Sequence, residues 1–180
     1  MYRNVSRNKT HSFSMIEIIP ATVDLLPEVK SIAYKTWPST FSKILTKEQI
    51  DYMLDAMYAL PILESLIQEK GHQYILAKGE TGYLGFCSYE HDSNQSNKTK
   101  IHRIYLLPET QGKGLGRLLI NYVVDQARKK NQAAIYLNVN KFNEKAIQFY
   151  ERIGMRKAKE EVIDIGNGFV MDDFVMEMDL

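Results

Sequence analysis

The run Pro108-Glu109-Thr110-Gln111-Gly112-Lys113-Gly114-Leu115-Gly116 carries the clearest chemical meaning in the chain. It lies between a β-rich stretch ending at Leu107 and an amphipathic helix beginning at Leu115. Alternate glycines let a backbone turn tightly and come close to a ligand. The helix start offers unpaired N–H groups and the positive end of its dipole at the same place, which suits phosphate, and Lys113 adds a charge. A strand-to-helix turn needing glycine only for its geometry is the plainer alternative. Two other phosphate motifs fail on spacing. G-x-G-x-x-G would need glycine where Arg117 stands, and no Gly-Lys-Ser/Thr is present to complete G-x-x-x-x-G-K-[ST]. Nucleotide hydride transfer and ATP chemistry are disfavoured accordingly.

Other residues are chemically capable but ambiguous on their own. Tyr150 shares an apolar helix face with Ala146 and Ile153, where a core tyrosine would also sit. Asp172 and Asp173 are adjacent on an expected strand, so their side chains point to opposite faces and cannot both line one pocket. Asn143 has the position of a helix N-cap. Trp37, Phe41, Tyr52 and Met53 recur at the helical spacing of core residues, yet could wall a binding site.

The elements that position these residues follow from periodicity and punctuation. Met15 to Ile19, closed by Pro20, reads as a strand, and Asp24 to about Thr36 as a helix that Trp37-Pro38 should end. Thr46 with Gln49 forms a capping-box pattern before a second helix, and Pro61 to Lys70 reads as a third, stopped by Gly71. Strands are expected over Gln73 to Lys78, Tyr83 to Glu90 and Thr99 to Leu107. The helix from Leu115, a strand around Ile135 to Val139 and a helix from Asn143 to Ile153 come next. Strands at Met155 to Ile165 and Phe169 to Met178, joined by Gly166-Asn167-Gly168, complete the chain. That order indicates a mixed sheet with helices on both faces.

Composition narrows the function classes. The 180 residues suit one domain, and 23 Lys and Arg against 22 Asp and Glu give no global attraction for nucleic acid. Cys87 is the single cysteine, so no intrachain disulfide or cysteine-based zinc site can form, and a reducing cytoplasm fits. No apolar run reaches membrane-spanning length, and residues 1–14 are polar without the apolar stretch of a signal peptide; they are expected to form a flexible tail.

Gln111-Gly112-Lys113-Gly114-Leu115-Gly116 matches the Q/R-x-x-G-x-G/A motif of the GNAT acetyltransferases. Leu137 to Met155 matches that superfamily's N-x-x-A-x-x-F-Y-x-x-x-G-F pattern, with Met155 in place of Phe. The chain resembles the superfamily from Met15 to the C-terminus. Within it, T-W-P-S-T-F, E-Q-I-D-Y-M-L, K-I-H-R-I-Y-L-L-P-E and I-G-N-G-F-V-M-D-D-F-V-M resemble the PaiA-like spermidine/spermine acetyltransferases. The resemblance implies an α/β GNAT fold, a mixed central sheet of about seven strands in a single domain over 15–180. It implies acetyl-CoA as cosubstrate, no metal, and direct attack by a primary amine such as spermidine or spermine. Other amines, on a protein N-terminus, lysine or aminoglycoside, and a non-catalytic acyl-CoA-binding module are the alternatives. A homodimer is compatible with this reading.

By the same resemblance, backbone amides of 112–117 would bind the CoA pyrophosphate, so that Gln111, Gly112, Lys113, Gly114, Leu115, Gly116 and Arg117 form one subsite. Backbone groups of Ile104 and Leu106 would pair with the pantetheine and acetyl carbonyl, beside a β-bulge that opens the sheet. Asn138 and Asn143 would also contact CoA. Tyr150 would protonate the departing thiolate, since a phenol with a reference pKa of about 10 keeps its proton at neutral pH. His102, with a reference value of about 6.5, would serve as the water-linked base. Trp37, Phe41, Tyr52 and one of Asp172 and Asp173 would form the amine site.

Overall fold

The computed structural model describes residues 16–180; the expected tail at 1–14 and Met15 lie outside them. Seven strands form one sheet: β1 (Glu17–Pro20), β2 (Gln73–Gly79), β3 (Gly82–Glu90), β4 (Lys98–Leu106), β5 (Ala134–Asn140), β6 (Arg156–Gly166) and β7 (Phe169–Asp179). Their order is β1-β2-β3-β4-β5-β7-β6. Every pairing is antiparallel except β4 with β5, which needs the crossover supplied by a helix. This is the expected mixed sheet of the GNAT fold.

Helices cover both faces. Against one pack α4 (Leu115–Lys129) and α5 (Glu144–Arg152), burying Leu119, Val123 and Ile147. Against the other pack α1 (Leu26–Phe41), α2 (Lys47–Tyr58) and α3 (Leu60–Lys70), around Trp37, Tyr58, Leu63 and Phe86. Local signals account for most boundaries. The Thr46 side chain accepts from the Gln49 N–H at the start of α2, and Gly71 caps α3 in the left-handed conformation. The capping box is only half made, because the Gln49 amide donates instead to the Val170 carbonyl, 3.3 Å away.

The end of α1 departs from expectation. Helix continues through Trp37-Pro38 to Phe41. Proline inside a helix costs about 3 kcal/mol through a lost N–H and a clash with the preceding turn. Continuing the helix buries Trp37 and Phe41 to 1% and 6% exposure, with their rings 4.8 Å apart and both against Tyr105. Each aromatic contributes about 1.5–3 kcal/mol by that burial, which offsets the proline.

Candidate active site

The site originates in a ladder that stops early. β4 and β5 pair only over Lys98–Ile101 and Ala134–Leu137, while β4 continues along β3 and β5 along β7. At the stopping point the β3–β4 register slips: Tyr89 faces Ile101 and Ser88 faces Arg103, so His102 is the extra residue of a β-bulge. The strands then splay. Between them opens a cavity of about 630 Å³, walled by residues 101–106 of β4 and 137–140 of β5.

On the α4 side the cavity meets the glycine turn. Gly112 and Gly114 adopt φ of +77° and +82°, conformations that strain any residue with a Cβ. The first bond within α4 runs from Leu118 N–H to Gly114 C=O, leaving the amides of the first turn free for an anion. Gln111 ties the turn down, its amide 3.5 Å from the Leu106 carbonyl and its oxygen accepting from Lys145 at 2.8 Å. Arg117, Lys145 and Arg152 bring positive charge to the same wall. Free amides, a turn without side-chain bulk and three cations fit a polyphosphate. Ile104, Leu106, Gly112, Gly114, Leu115, Gly116, Asn138 and Asn143 also line the cavity, whereas Lys113 lies exposed beside the turn. Asn143 caps α5 by accepting from the Ala146 N–H.

The model of the acetyltransferase (GNAT) family matches residues 26–155, 130 of the 180 residues. The chain belongs to that family. An uncharacterized N-acetyltransferase of Lactobacillus delbrueckii subsp. lactis is 26% identical over 84% of this chain and 91% of its own. The spermidine N(1)-acetyltransferase of Thermoplasma acidophilum is 26% identical over 87% of this chain and 96% of its own. Among solved structures, the PaiA N-acetyltransferase of Thermoplasma acidophilum in complex with coenzyme A superposes with a TM-score of 0.77, at 22% identity over 92% of this chain and 99% of the other.

In this acetyltransferase Tyr150 stands in the cavity wall, 7% exposed. Burial, with Cys87 nearby, pushes its phenol well above the ordinary value, so it keeps its proton at neutral pH. Asp173 reaches the same cavity, 4% exposed, with burial foremost pushing its carboxyl up to about 6. Asp172 points the other way and pairs with Lys141 at 2.7 Å. The strand alternation thus selects Asp173.

Four expectations are corrected by packing. Trp37 is core, behind Phe41 and Tyr105, which both reach the cavity while Trp37 does not. Tyr52 binds the β6–β7 turn, its hydroxyl donating to the Ile165 carbonyl at 3.0 Å and its ring 5.6 Å from Phe169. Met53 is buried among the α1–α3 residues. His102 does line the cavity, but its Nε2 is 2.9 Å from the Glu90 carboxylate. Burial, with Lys100 and Arg103 nearby, pushes it down to about 3, far from the 6.5 that would suit a base.

His72, Glu90 and His102 bring potential metal-ligand atoms within 4.8 Å of one another. The two imidazoles stack, however, with centroids 3.9 Å apart and planes 20° from parallel. Imidazole lone pairs lie in the ring plane, so near-parallel rings cannot both aim at one ion about 2 Å away. Stacked neutral rings, one donating to a carboxylate, account for the arrangement without a metal.

Sequence reading missed several lining residues. Arg103 is buried, donates to the Tyr74 hydroxyl and to the Met57 carbonyl, and lies over the Tyr58 ring. Thr36, Thr40 and Asn140 also face the cavity. No local signal marks them, since only the splay of β4 from β5 brings them to one space.

Proposed function

We propose that this acetyltransferase moves the acetyl group of acetyl-CoA directly to a primary amine, and that the amine belongs to a polyamine such as spermidine or spermine. The observation that carries the reading is that one cavity joins the glycine turn and free first-turn amides on the α4 side to a buried carboxylate, Asp173, on the α1–α3 side. A carboxylate recessed in the wall attracts a cationic amine. The likeness to the spermidine N(1)-acetyltransferase of Thermoplasma acidophilum supports a polyamine over other amines.

The residues divide the work. The first-turn amides of α4, with Arg117, Lys145 and Arg152, would hold the CoA phosphates. Acetyl-CoA supplies the thioester. Tyr150 keeps a proton for the departing sulfur, and the wall formed by Phe41, Tyr105 and Phe149 excludes water from the transfer.

Mass spectrometry of products formed from acetyl-CoA with spermidine, spermine, free amino acids, lysine peptides and an aminoglycoside tests this. The expected result is an N-acetylpolyamine formed with kcat/KM at least about tenfold above any other acceptor, a difference of about 1.4 kcal/mol. Preference for a peptide or aminoglycoside overturns the polyamine assignment, and failure of every amine overturns acetyl transfer to small amines.

A further inference from the structure

We propose that Asp173 is the general base of the transfer, taking a proton from the acceptor ammonium while the side-chain oxygen of Asn138 receives a second N–H. The inference rests on the reading of the cavity as an amine acetylation site.

Two geometric observations carry it. The Oδ1 atoms of Asp173 and of neighbouring Asn138 are both buried without a hydrogen-bond partner. Buried acceptors are nearly always paired. An alkylammonium, with several N–H donors and a positive charge, can satisfy a carboxylate and a carbonyl together. Asp173 also lies on the face of the sheet opposite α4, and Tyr105 is close enough to feel both Asp173 and Tyr150. A nitrogen seated at Asp173 therefore enters the splay from the side opposite the phosphate turn.

The charged neighbours leave Asp173 as the available carboxylate. Glu161, beside it on β6, pairs with Lys159 and accepts from the Asn138 amide at 2.9 Å. Asp172 is held by Lys141. On β4, Lys100 is a cation that lies over the Tyr136 ring. Tyr105 and Tyr150 are pushed up by burial and stay protonated. Desolvation, reinforced by Asp172 and Glu161 and opposed by Asn138 and Lys100, makes Asp173 more basic than a surface carboxylate while leaving it mostly ionised at neutral pH.

The step balances. The ammonium gives one proton to Asp173, and the freed electron pair forms the C–N bond to the thioester carbonyl carbon. The C–S bond breaks, its pair stays on sulfur, and sulfur takes the Tyr150 proton. The second nitrogen proton restores the Tyr150 hydroxyl, and Asp173 releases its own to water. One proton is released per acetyl transferred, and CoA leaves as the thiol.

Single-turnover rates of the parent and of Asp173→Asn, with saturating acetyl-CoA and spermidine well below its Kd, between pH 5 and 10, decide the matter, because sub-saturating amine reports the carboxyl before the ammonium binds. The parent should lose activity below about pH 6 and stay flat through pH 8, because the bound ammonium is the reacting form. The variant should be about 10²- to 10⁴-fold slower at pH 7 and rise about tenfold per pH unit, following the small fraction of neutral amine. A primary amine of lower basicity should narrow the gap, and formate should restore part of the rate to Asp173→Ala. Unchanged acetyl-CoA affinity establishes that either variant is folded. If Asp173→Asn retains the parent's acid limb, or is slowed equally at every pH in a way that high salt erases, Asp173 is an electrostatic anchor and the base assignment is overturned. A parent that acetylates no amine overturns the proposed function and the base together, whereas an active parent with an unaffected variant overturns the base alone.

Discussion

Tyr150 and Asp173 share one cavity, and burial pushes both pKa values upward, with different consequences. For a phenol the shift keeps the proton in place, as the proposed donation to the leaving sulfur requires. Tyr150→Phe keeps the ring and its contact with Phe149, so acetyl-CoA affinity should change less than about twofold while kcat falls about 10²- to 10⁴-fold. Steady-state and binding measurements on a folded variant check this, and parental turnover would reduce Tyr150 to a core residue. For Asp173 the shift is a cost to the fold. Its pKa rises from 3.8 unfolded to about 6 folded, so the folded state binds the proton more tightly. This group therefore favours folding below pH 3.8, and the advantage is lost as pH rises through about 6. At pH 7.5 Asp173→Asn should raise stability, by up to about 3 kcal/mol from a shift of about two units, and the gain should shrink toward zero near pH 4. Urea melts at the two pH values measure it, and an equal gain at both would contradict a raised native pKa.

Two glycines govern the strands and the turn that shape the cavity. Gly114 opens α4 at a positive φ, where an added Cβ meets nothing within 4 Å of the protein. Gly114→Ala should therefore cost only the left-handed strain, about 1–2 kcal/mol, yet weaken acetyl-CoA binding at least about tenfold by crowding the anion. Calorimetric titration beside a thermal melt separates the two effects. Gly85 is different. It has no unusual φ, but its Cβ would fall 2.6 Å from Leu106 Cδ2 and 2.8 Å from the Tyr105 carbonyl. Gly85→Ala should push β4 outward at the cavity wall, lowering stability by about 1–3 kcal/mol and acetyl-CoA affinity with it. A variant as stable and as tight-binding as the parent would show that β3 and β4 can part at no cost.

At the scale of the whole molecule, the sheet manages its two edges differently. β1 is four residues long and ends at Pro20, whereas β6 runs eleven residues with Arg156, Lys157, Lys159 and Glu160 exposed along it. Short length, proline and charge all discourage pairing with another chain. The interior is less settled, since β4 and β5 are joined by only a short parallel ladder and the cavity lies between them. A ligand spanning that gap stabilises the molecule by binding only its folded form. Acetyl-CoA at 100 times its Kd should add about 2.7 kcal/mol and raise Tm by roughly 5–10 °C. Absence of any shift in a thermal melt would count against binding in the splay.

Features that depend on neighbours along the chain were readable from residue type and spacing. The strand–helix order, the Thr46 and Asn143 caps, the Gly71 stop and the glycine turn after β4 follow from local conformational preference and from period, so they were legible before the fold. Opposite placement of Asp172 and Asp173 was legible too, because alternation along a strand is geometric. Which of them enters the cavity was not, since that depends on the lateral position of β7 between β5 and β6. Tertiary burial likewise carried α1 through Pro38, drew Trp37 and Tyr52 away from the expected amine site, and lowered the basicity of His102 beside Glu90 and His72. These outcomes are set by contacts between residues far apart in sequence and by the desolvation those contacts impose. Neither quantity is encoded in residue type or spacing.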